Sequence, residues 1–257
     1  MKIVFLGTGA AGSKLRPEAE IEAHHRRCAS LLIDDNVVVD MALQSFDYAT
    51  KLGAKTDCVT DVFLSHTHRD HYMKEALLGY LSVARQKINV WCHKALVSGL
   101  QLTEEEQGMV NICPLSPMDQ FEAAGMHVTA LPANHADGNV LHYIFEKDGK
   151  KLYYGLDGAW FTPREWRYLN AGVVLDAAIL DSTNMSHDPI NYGNAGEHNN
   201  YLLMPQVIRT LKETGIARED TLLIADHMGA RANDEAAVQL LRDMGLIPAY
   251  DGMTLEI

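Results

Sequence analysis

Ser65-His66-Thr67-His68-Arg69-Asp70-His71 is the stretch from which the rest of the chain can be understood. The apolar run Val59–Ser65 leads into it and reads as a strand. After it, Met73, Ala76, Leu77, Tyr80, Leu81 and Ala84 recur at the spacing of an amphipathic helix. The histidines therefore occupy a loop at a strand end. Side chains two apart on extended backbone point to one side, so His66 and His68 can grip a single ion. As the chain turns toward the helix, Asp70 and His71 project elsewhere and can serve a second ion. Imidazole and carboxylate suit Zn²⁺, Mn²⁺ and Fe²⁺, and the lack of thiolate points to a site open to water. A polar loop with chance histidines is the bland alternative. Four potential ligands within the six residues His66–His71 weigh against it.

One loop cannot complete two coordination spheres, so further donors must come from other strand ends. His135 follows a strand over Met126–Leu131, Asp157 follows one over Leu152–Leu156, and His227 follows one over Thr221–Ala225. Taken singly these are a turn histidine, a turn aspartate and a histidine after a helix-capping aspartate. Their shared position just past an apolar run makes them ligand candidates. Other strands are expected at Ile3–Leu6, Ser30–Ile33, Val37–Asp40, Ile88–Cys92, Val140–Glu146 and Ala177–Leu180, with tight turns at Asp34-Asp35-Asn36 and Lys147–Lys150. Helices are expected over Tyr201–Thr214 and Glu235–Met244. Another starts at Thr162-Pro163-Arg164-Glu165, where Thr caps, Pro takes the first helical position and Glu reaches back. Two halves with this rhythm suggest two sheets packed together with helices outside, in one domain spanning residues 1–257.

Composition agrees. The chain has 257 residues, 47% hydrophobic and 22% charged, enough for a sizeable core. Its formal charge of −12 disfavours tracking long nucleic acid or anionic lipid, and its 12 histidines are an excess. The cysteines Cys28, Cys58, Cys92 and Cys113 form no C-x-x-C pair, which argues against a cysteine zinc ribbon and a secreted disulfide scaffold. The apolar run at Ile3–Leu6 is too short for a signal-peptide core, and no stretch is long enough to span a bilayer, so a reduced cytoplasmic protein is expected.

Gly7-Thr8-Gly9-Ala10-Ala11-Gly12 matches the dinucleotide-binding pattern G-x-G-x-x-G after a strand. That motif needs a helix next, yet Ser13–Pro17 has no apolar periodicity and Pro17 would break one. A sharp glycine turn is the simpler reading. A nucleotide-binding regulator built on Gly7–Gly12 is the non-enzymatic alternative, and it requires nucleotide affinity that survives metal removal.

With these residues in place, the chain resembles the metallo-β-lactamase-fold hydrolases, whose signature is H-x-H-x-D-H followed by a later His, an Asp and a last His. His66, His68, Asp70, His71, His135, Asp157 and His227 supply these in family order. The resemblance implies an α/β fold, a four-layer αββα sandwich of two mixed β-sheets with helices outside. It also implies two divalent ions, Zn²⁺ or Mn²⁺. His66, His68 and His135 would bind the first, Asp70, His71 and His227 the second, and Asp157 would bridge them. The expected chemistry is hydrolysis by a metal-bridged hydroxide.

Such a site alone does not choose among β-lactams, thioesters, lactones and phosphodiesters. Gly196-Glu197-His198-Asn199-Asn200 adds a histidine that looks like the phosphodiesterase branch of the family, which includes the tRNA 3′-processing endonucleases and the phosphodiesterase of the carbon–phosphorus lyase pathway. An alkoxide leaves badly, so a positioned imidazolium at His198 could donate its proton. The second relative is the nearer, through the glycine turn, Arg26-Arg27-Cys28-Ala29-Ser30 and Asp226-His227. It carries an N-terminal cysteine cluster for a structural zinc, whereas residues 13–30 here contain only Cys28.

The resulting expectation is a small-molecule phosphodiesterase, with cyclic phosphates among its candidate substrates and Asp70 and His198 as catalytic residues. Arg26, Arg27, His187 and Arg231 are candidate substrate contacts, and a homodimer is a compatible assembly. A thioester or lactone hydrolase with the same ligands is the enzymatic alternative. His24 and His25 read as solvated loop residues, and His93, His127 and His142 as satisfied structural histidines. Asp40 and Asp181, at strand ends, are candidate acceptors for ligand imidazoles. Glu104-Glu105-Glu106 reads as a solvated helix face.

Overall fold

Strands whose two faces are both apolar must be covered on both sides, and this rule organises the chain. The computed structural model describes residues 1–11, 26–135, 138–186, 196–230 and 234–257. The first sheet holds β1 (Lys2–Gly7), β2 (Ser30–Ile33), β3 (Val37–Val39), β4 (Asp61–Phe63), β5 (Ile88–His93), β6 (Val110–Leu115) and, beside β1, the returning β14 (Thr254–Glu256). The second holds β7 (Gln120–Ala123), β8 (Met126–Pro132), β9 (Leu141–Lys147), β10 (Lys150–Gly155), β11 (Leu175–Asp181), β12 (Ala217–Asp226) and β13 (Ile247–Pro248), ordered from β13 to β7. Helices α1 (Ser45–Lys51) and α2 (Lys74–Val83) cover the outside of the first sheet. Helices α4 (Pro163–Leu169), α5 (Met204–Glu213) and α6 (Glu235–Asp243) cover the second, and the short α3 (Glu104–Gln107) precedes β6.

Period-two alternation sorts the apolar side chains. In β1, Ile3 and Phe5 face the space between the sheets, where they join Phe63, Tyr143, Phe145 and Tyr154. Val4 and Leu6 point outward to Tyr48, Leu77 and Tyr80 on the helical side. Across the molecule, Ala178, Leu180 and Leu223 meet Met204, Val207 and Leu241. The layers are helix, sheet, sheet and helix, as the sequence implied.

Each sheet begins as an antiparallel meander and continues in parallel. In the first, β2 is antiparallel to both β1 and β3, and β3 through β6 run parallel. In the second, β7 to β10 alternate and β10 through β13 run parallel. Accordingly β1, β3 and β4 end at one edge of their sheet, and β8, β10, β11 and β12 at one edge of theirs. These are the strands that precede the candidate ligands.

Some boundaries differ from the sequence reading. The strand expected over Val59–Ser65 is a strand only for Asp61–Phe63; Leu64 N still donates to the Trp91 carbonyl of β5, but the Leu64 and Ser65 carbonyls turn to sheet two. Tyr143 Oη donates to the Leu64 carbonyl at 2.7 Å and Leu141 N to the Ser65 carbonyl at 3.0 Å. The helix expected from Tyr201 starts at Met204, after a turn in which Asn200 Oδ1 accepts from the amides of Leu202 and Leu203. Thr162 and Glu165 form the expected reciprocal cap, with Pro163 at the helix start. Glu104–Glu106 lie on an exposed or half-buried helical turn capped by Thr103.

Candidate metal centre

The strand ends converge. Donor atoms of His66, His68, His135 and Asp157 lie within 4.8 Å of one another, and so do those of Asp70, His71 and His227. Asp157 Oδ2 is the focus: His66 Nε2 and His71 Nε2 stand 3.2 Å from it and His135 Nε2 3.4 Å. Its other oxygen lies 3.1 Å from His227 Nδ1. His71 Nε2 and His227 Nε2 approach to 2.9 Å, with Asp70 Oδ2 at 3.7 and 3.5 Å from them. The structure thus brings all seven sequence candidates to one point. His68 is exposed at the mouth, and the other six are buried.

An outer ring of hydrogen bonds aims the imidazoles. Asp40 Oδ2 accepts from His71 Nδ1 at 2.7 Å and from Tyr154 Oη at 2.9 Å, and its Oδ1 accepts from Ser65 N at 2.7 Å. Ser65 Oγ lies 3.0 Å from His66 Nδ1. Asp181 Oδ2 takes His198 Nδ1 at 2.9 Å and lies 3.2 Å from His227 Nδ1. Asp40, Asp157 and His227 have φ of 53°, 54° and 57°, a left-handed conformation unusual for side-chain-bearing residues. Each follows a strand, where the backbone turns sharply and throws its side chain inward. Such strain persists only where the surroundings enforce it.

The electrostatics call for a cation. Burial penalises the charge on Asp157, yet His227 and His71 hold its carboxyl well below the usual range. Burial also opposes charge on His227, but Asp157, then Asp181 and Asp70, push its imidazole up to about 10. His71 is likewise raised against burial, by Asp157 and Asp40. Burial, aided by His71, pushes His66 down to about 4, so it is a neutral donor. Buried carboxylates thus demand positive charge here, and protein groups alone must place it on imidazoles. His66 Nε2, His135 Nε2 and Asp157 Oδ1 are buried with no hydrogen-bond partner among the described residues. Orphaned, converging N and O donors of this kind fit divalent ions.

The cluster forms one wall of a cleft of about 410 Å³, whose lining includes Asn184, Glu197 and His198. His198 is itself buried, 3.6 Å from Asp157 Oδ1, and burial opposes its charge while Asp181 raises its imidazole above the ordinary value. Asp40 and Asp181 occupy the outer positions expected of them.

Arg26 and Arg27 do not line this cleft. Arg26 is buried, donating to Thr8 Oγ1 at 2.7 Å and to the Ala249 carbonyl at 2.5 Å. Arg27 pairs with Asp251 at 3.3 Å and stacks over the Tyr48 ring. Ala249 and Asp251, which meet Arg26 and Arg27 respectively, are remote in sequence, which is why both read as available anion holders. His187, Arg231, His24 and His25 lie outside the described residues. Of the structural histidines, His142 is fully satisfied, His93 accepts from Ala95 N and His127 pairs with Glu122.

The glycine turn serves the backbone. Gly9 N donates to the Arg27 carbonyl at 2.7 Å and Ala10 N to the Met228 carbonyl at 3.0 Å, so these amides are unavailable to a phosphate. A Cβ on Gly7 would sit 1.9 Å from the Cys28 carbonyl oxygen, which accounts for that glycine by close approach.

Sequence reasoning missed Thr183, whose Oγ1 lies 2.8 Å from His227 Nδ1 and 3.2 Å from His198 Nδ1. It also missed Asn199, whose backbone N donates to Asp181 Oδ1 at 3.1 Å. Adjacency to the flagged Asp181 and His198 was the only signal for either.

Known proteins share this architecture. A crystal structure of a diphosphatase from the PhnP family superposes with a TM-score of 0.75 at 16% identity, covering 100% of this chain and 97% of the other. Zn²⁺-bound PqqB from Methylobacterium extorquens gives 0.76 at 15%, covering 100% of both chains. Human tRNase Z, short form, gives 0.70 at 16%, covering 100% and 99%. No curated protein matches the chain. The family model described as the beta-lactamase superfamily domain matches residues 31–246, and the chain accordingly belongs to that superfamily, in its metallo-β-lactamase-fold form.

Proposed function

We propose that the chain is a metal-dependent phosphodiesterase acting on small phosphodiesters. In this reading His66, His68 and His135 hold one divalent ion, Zn²⁺ or Mn²⁺, Asp70, His71 and His227 hold a second, and Asp157 lies between them. The ions, when bound, supply Lewis acidity toward the phosphoryl oxygens and acidify water. Asp70, beside His71 and His227, fixes the second donor group. His198 gives its proton to the departing alkoxide.

The observation that carries this reading is the Asp181–His198 contact at 2.9 Å on the cleft wall. With Nδ1 engaged by a buried carboxylate, Nε2 is the nitrogen left to meet a ligand, and the ring's orientation is set. A thioester, whose thiolate leaves readily, has less need of such a donor than an alkyl phosphate. The names of two similar structures, a diphosphatase and a tRNase Z, support the same class. A cleft of about 410 Å³ in a protein of charge −12 favours a small ester over a long polyanion.

The test combines elemental analysis with parallel assays of a nitrophenyl phosphodiester, a glutathione thioester and a lactone. Preferential turnover of the phosphodiester is expected, and preference for either other substrate overturns the assignment. In His198→Ala, activity on alkyl diesters should fall by about 10²–10⁴-fold and on nitrophenyl esters far less. Equal loss on both would remove the general-acid role.

A further inference from the structure

Behind the Asp157 turn lies a buried triad that the proposed chemistry does not use. His142 on β9, Tyr153 on β10 and Glu165 in the first turn of α4 are all buried. Glu165 Oε1 accepts from His142 Nδ1 at 2.6 Å and from Tyr153 Oη at 2.8 Å. The far side of the imidazole, Nε2, donates to the Leu156 carbonyl at 3.0 Å.

That carbonyl belongs to the peptide unit joining Leu156 to Asp157. Its N–H end is held as well, since Asp157 N donates to Asp181 Oδ2 at 3.2 Å. Both ends of one peptide plane are therefore clamped, by an imidazole on one side and a carboxylate on the other. Asp157, which this plane precedes, has φ of 54°. The ring also fills the space under the turn, for a Cβ on Gly158 would lie 2.6 Å from His142 Cε1. A peptide plane fixed at both ends cannot rotate to relax a left-handed residue, so the Asp157 carboxylate stays aimed at the other donors.

We infer that His142, held by Glu165 and Tyr153, is a positioning residue for Asp157: by fixing the Leu156–Asp157 peptide it sets the geometry of the metal-binding carboxylate. The inference rests on the metal reading of the site proposed above. Helix α4 thereby gains a second role, because the Glu165 that caps it through Thr162 also anchors the imidazole.

The experiment is zinc titration against a competing chelator, with kcat and KM on a nitrophenyl phosphodiester, for wild type, Glu165→Gln, His142→Leu and His142→Gln. Wild type reports on the metal reading itself, since absence of zinc binding there overturns that reading and this inference with it. If wild type binds zinc, Glu165→Gln and His142→Leu should lose about 10- to 100-fold in zinc affinity. At saturating zinc their kcat should fall while KM stays near wild type. His142→Gln, whose amide can still donate to the Leu156 carbonyl, should recover part of the loss. Folded variants, judged by circular dichroism, that keep wild-type zinc affinity and kcat overturn the inference and leave the metal reading standing. Should His142→Leu fail to fold, the nearly isosteric Glu165→Gln alone decides.

Discussion

His71 is gripped from behind by Asp40, Nδ1 to Oδ2 at 2.7 Å with both side chains fully buried, and the ring can therefore offer only Nε2 to the cluster around Asp157. The same carboxylate holds Ser65 and Tyr154, so one residue at the end of β3 ties the histidine loop of the first sheet to β10 of the second.

Asp40→Asn should weaken zinc binding by about 10- to 100-fold, because the outer partner sets both tautomer and ring orientation. Asn tolerates the left-handed backbone at this position, so the change isolates the charge. Chelator competition checks it, and an unaltered affinity would show that Asp40 serves folding alone.

Asp157→Ala should lose bound metal and hydrolytic activity together, since that carboxylate touches donors of both groups. Elemental analysis paired with the phosphodiester assay measures this. A fully metallated, active variant would count against the assignment.

The glycine turn should bind no nucleotide. Calorimetric titration of the chelator-treated protein with a dinucleotide is expected to give no heat of binding, because the Gly9 and Ala10 amides are already engaged. Gly7→Ala should destabilise strongly, by more than about 2 kcal/mol, through overlap with the Cys28 carbonyl. Urea unfolding reads that loss.

Acid should erase one contact between the sheets. Asp34, in the β2–β3 turn, accepts from Lys147 Nζ at 2.6 Å and Lys2 N at 2.8 Å. Partial burial opposes its charge, but Lys147 and the Lys2 amide hold its carboxyl below the ordinary value. A depressed folded-state pKa gives stability that is present above the unfolded value near 3.8 and lost as pH falls through the folded value. Asp34→Asn should therefore cost up to about 1 kcal/mol at neutral pH and nothing once both carboxyl states are protonated. The gap between the urea midpoints of the two proteins should be widest at neutral pH and narrow as pH falls below the unfolded value near 3.8. A constant gap across that range would contradict it.

Much of the centre was legible because candidate metal ligands leave local marks. His66 to His71 crowd one loop, and His135, Asp157 and His227 each follow an apolar run, so pattern and residue type sufficed. The sheets were legible where both faces are covered. Strands β6 and β7 were not, since they lie at sheet edges with exposed positions and, in β6, a proline. Arg26 and Arg27 were misplaced because the groups that hold them, the Ala249 carbonyl and Asp251, lie 223 and 224 residues away. His142 was legible only as a satisfied residue, because Glu165 and the Leu156 carbonyl meet it through the fold. Contacts that define a role at long range have no signature in local sequence.

The stitch between Gly9, Cys28 and Met228 has a consequence for biosynthesis. His71 and His227 are 156 residues apart, so a ribosome finishes the first donor loop long before the last donor exists. Until then the nascent polypeptide can offer an ion little beyond a few neighbouring imidazoles, and its opening strand has no Met228 to dock against. On the proposed metal reading, tight ion capture therefore marks a completed chain, and a divalent ion would enter as one of the last events of maturation.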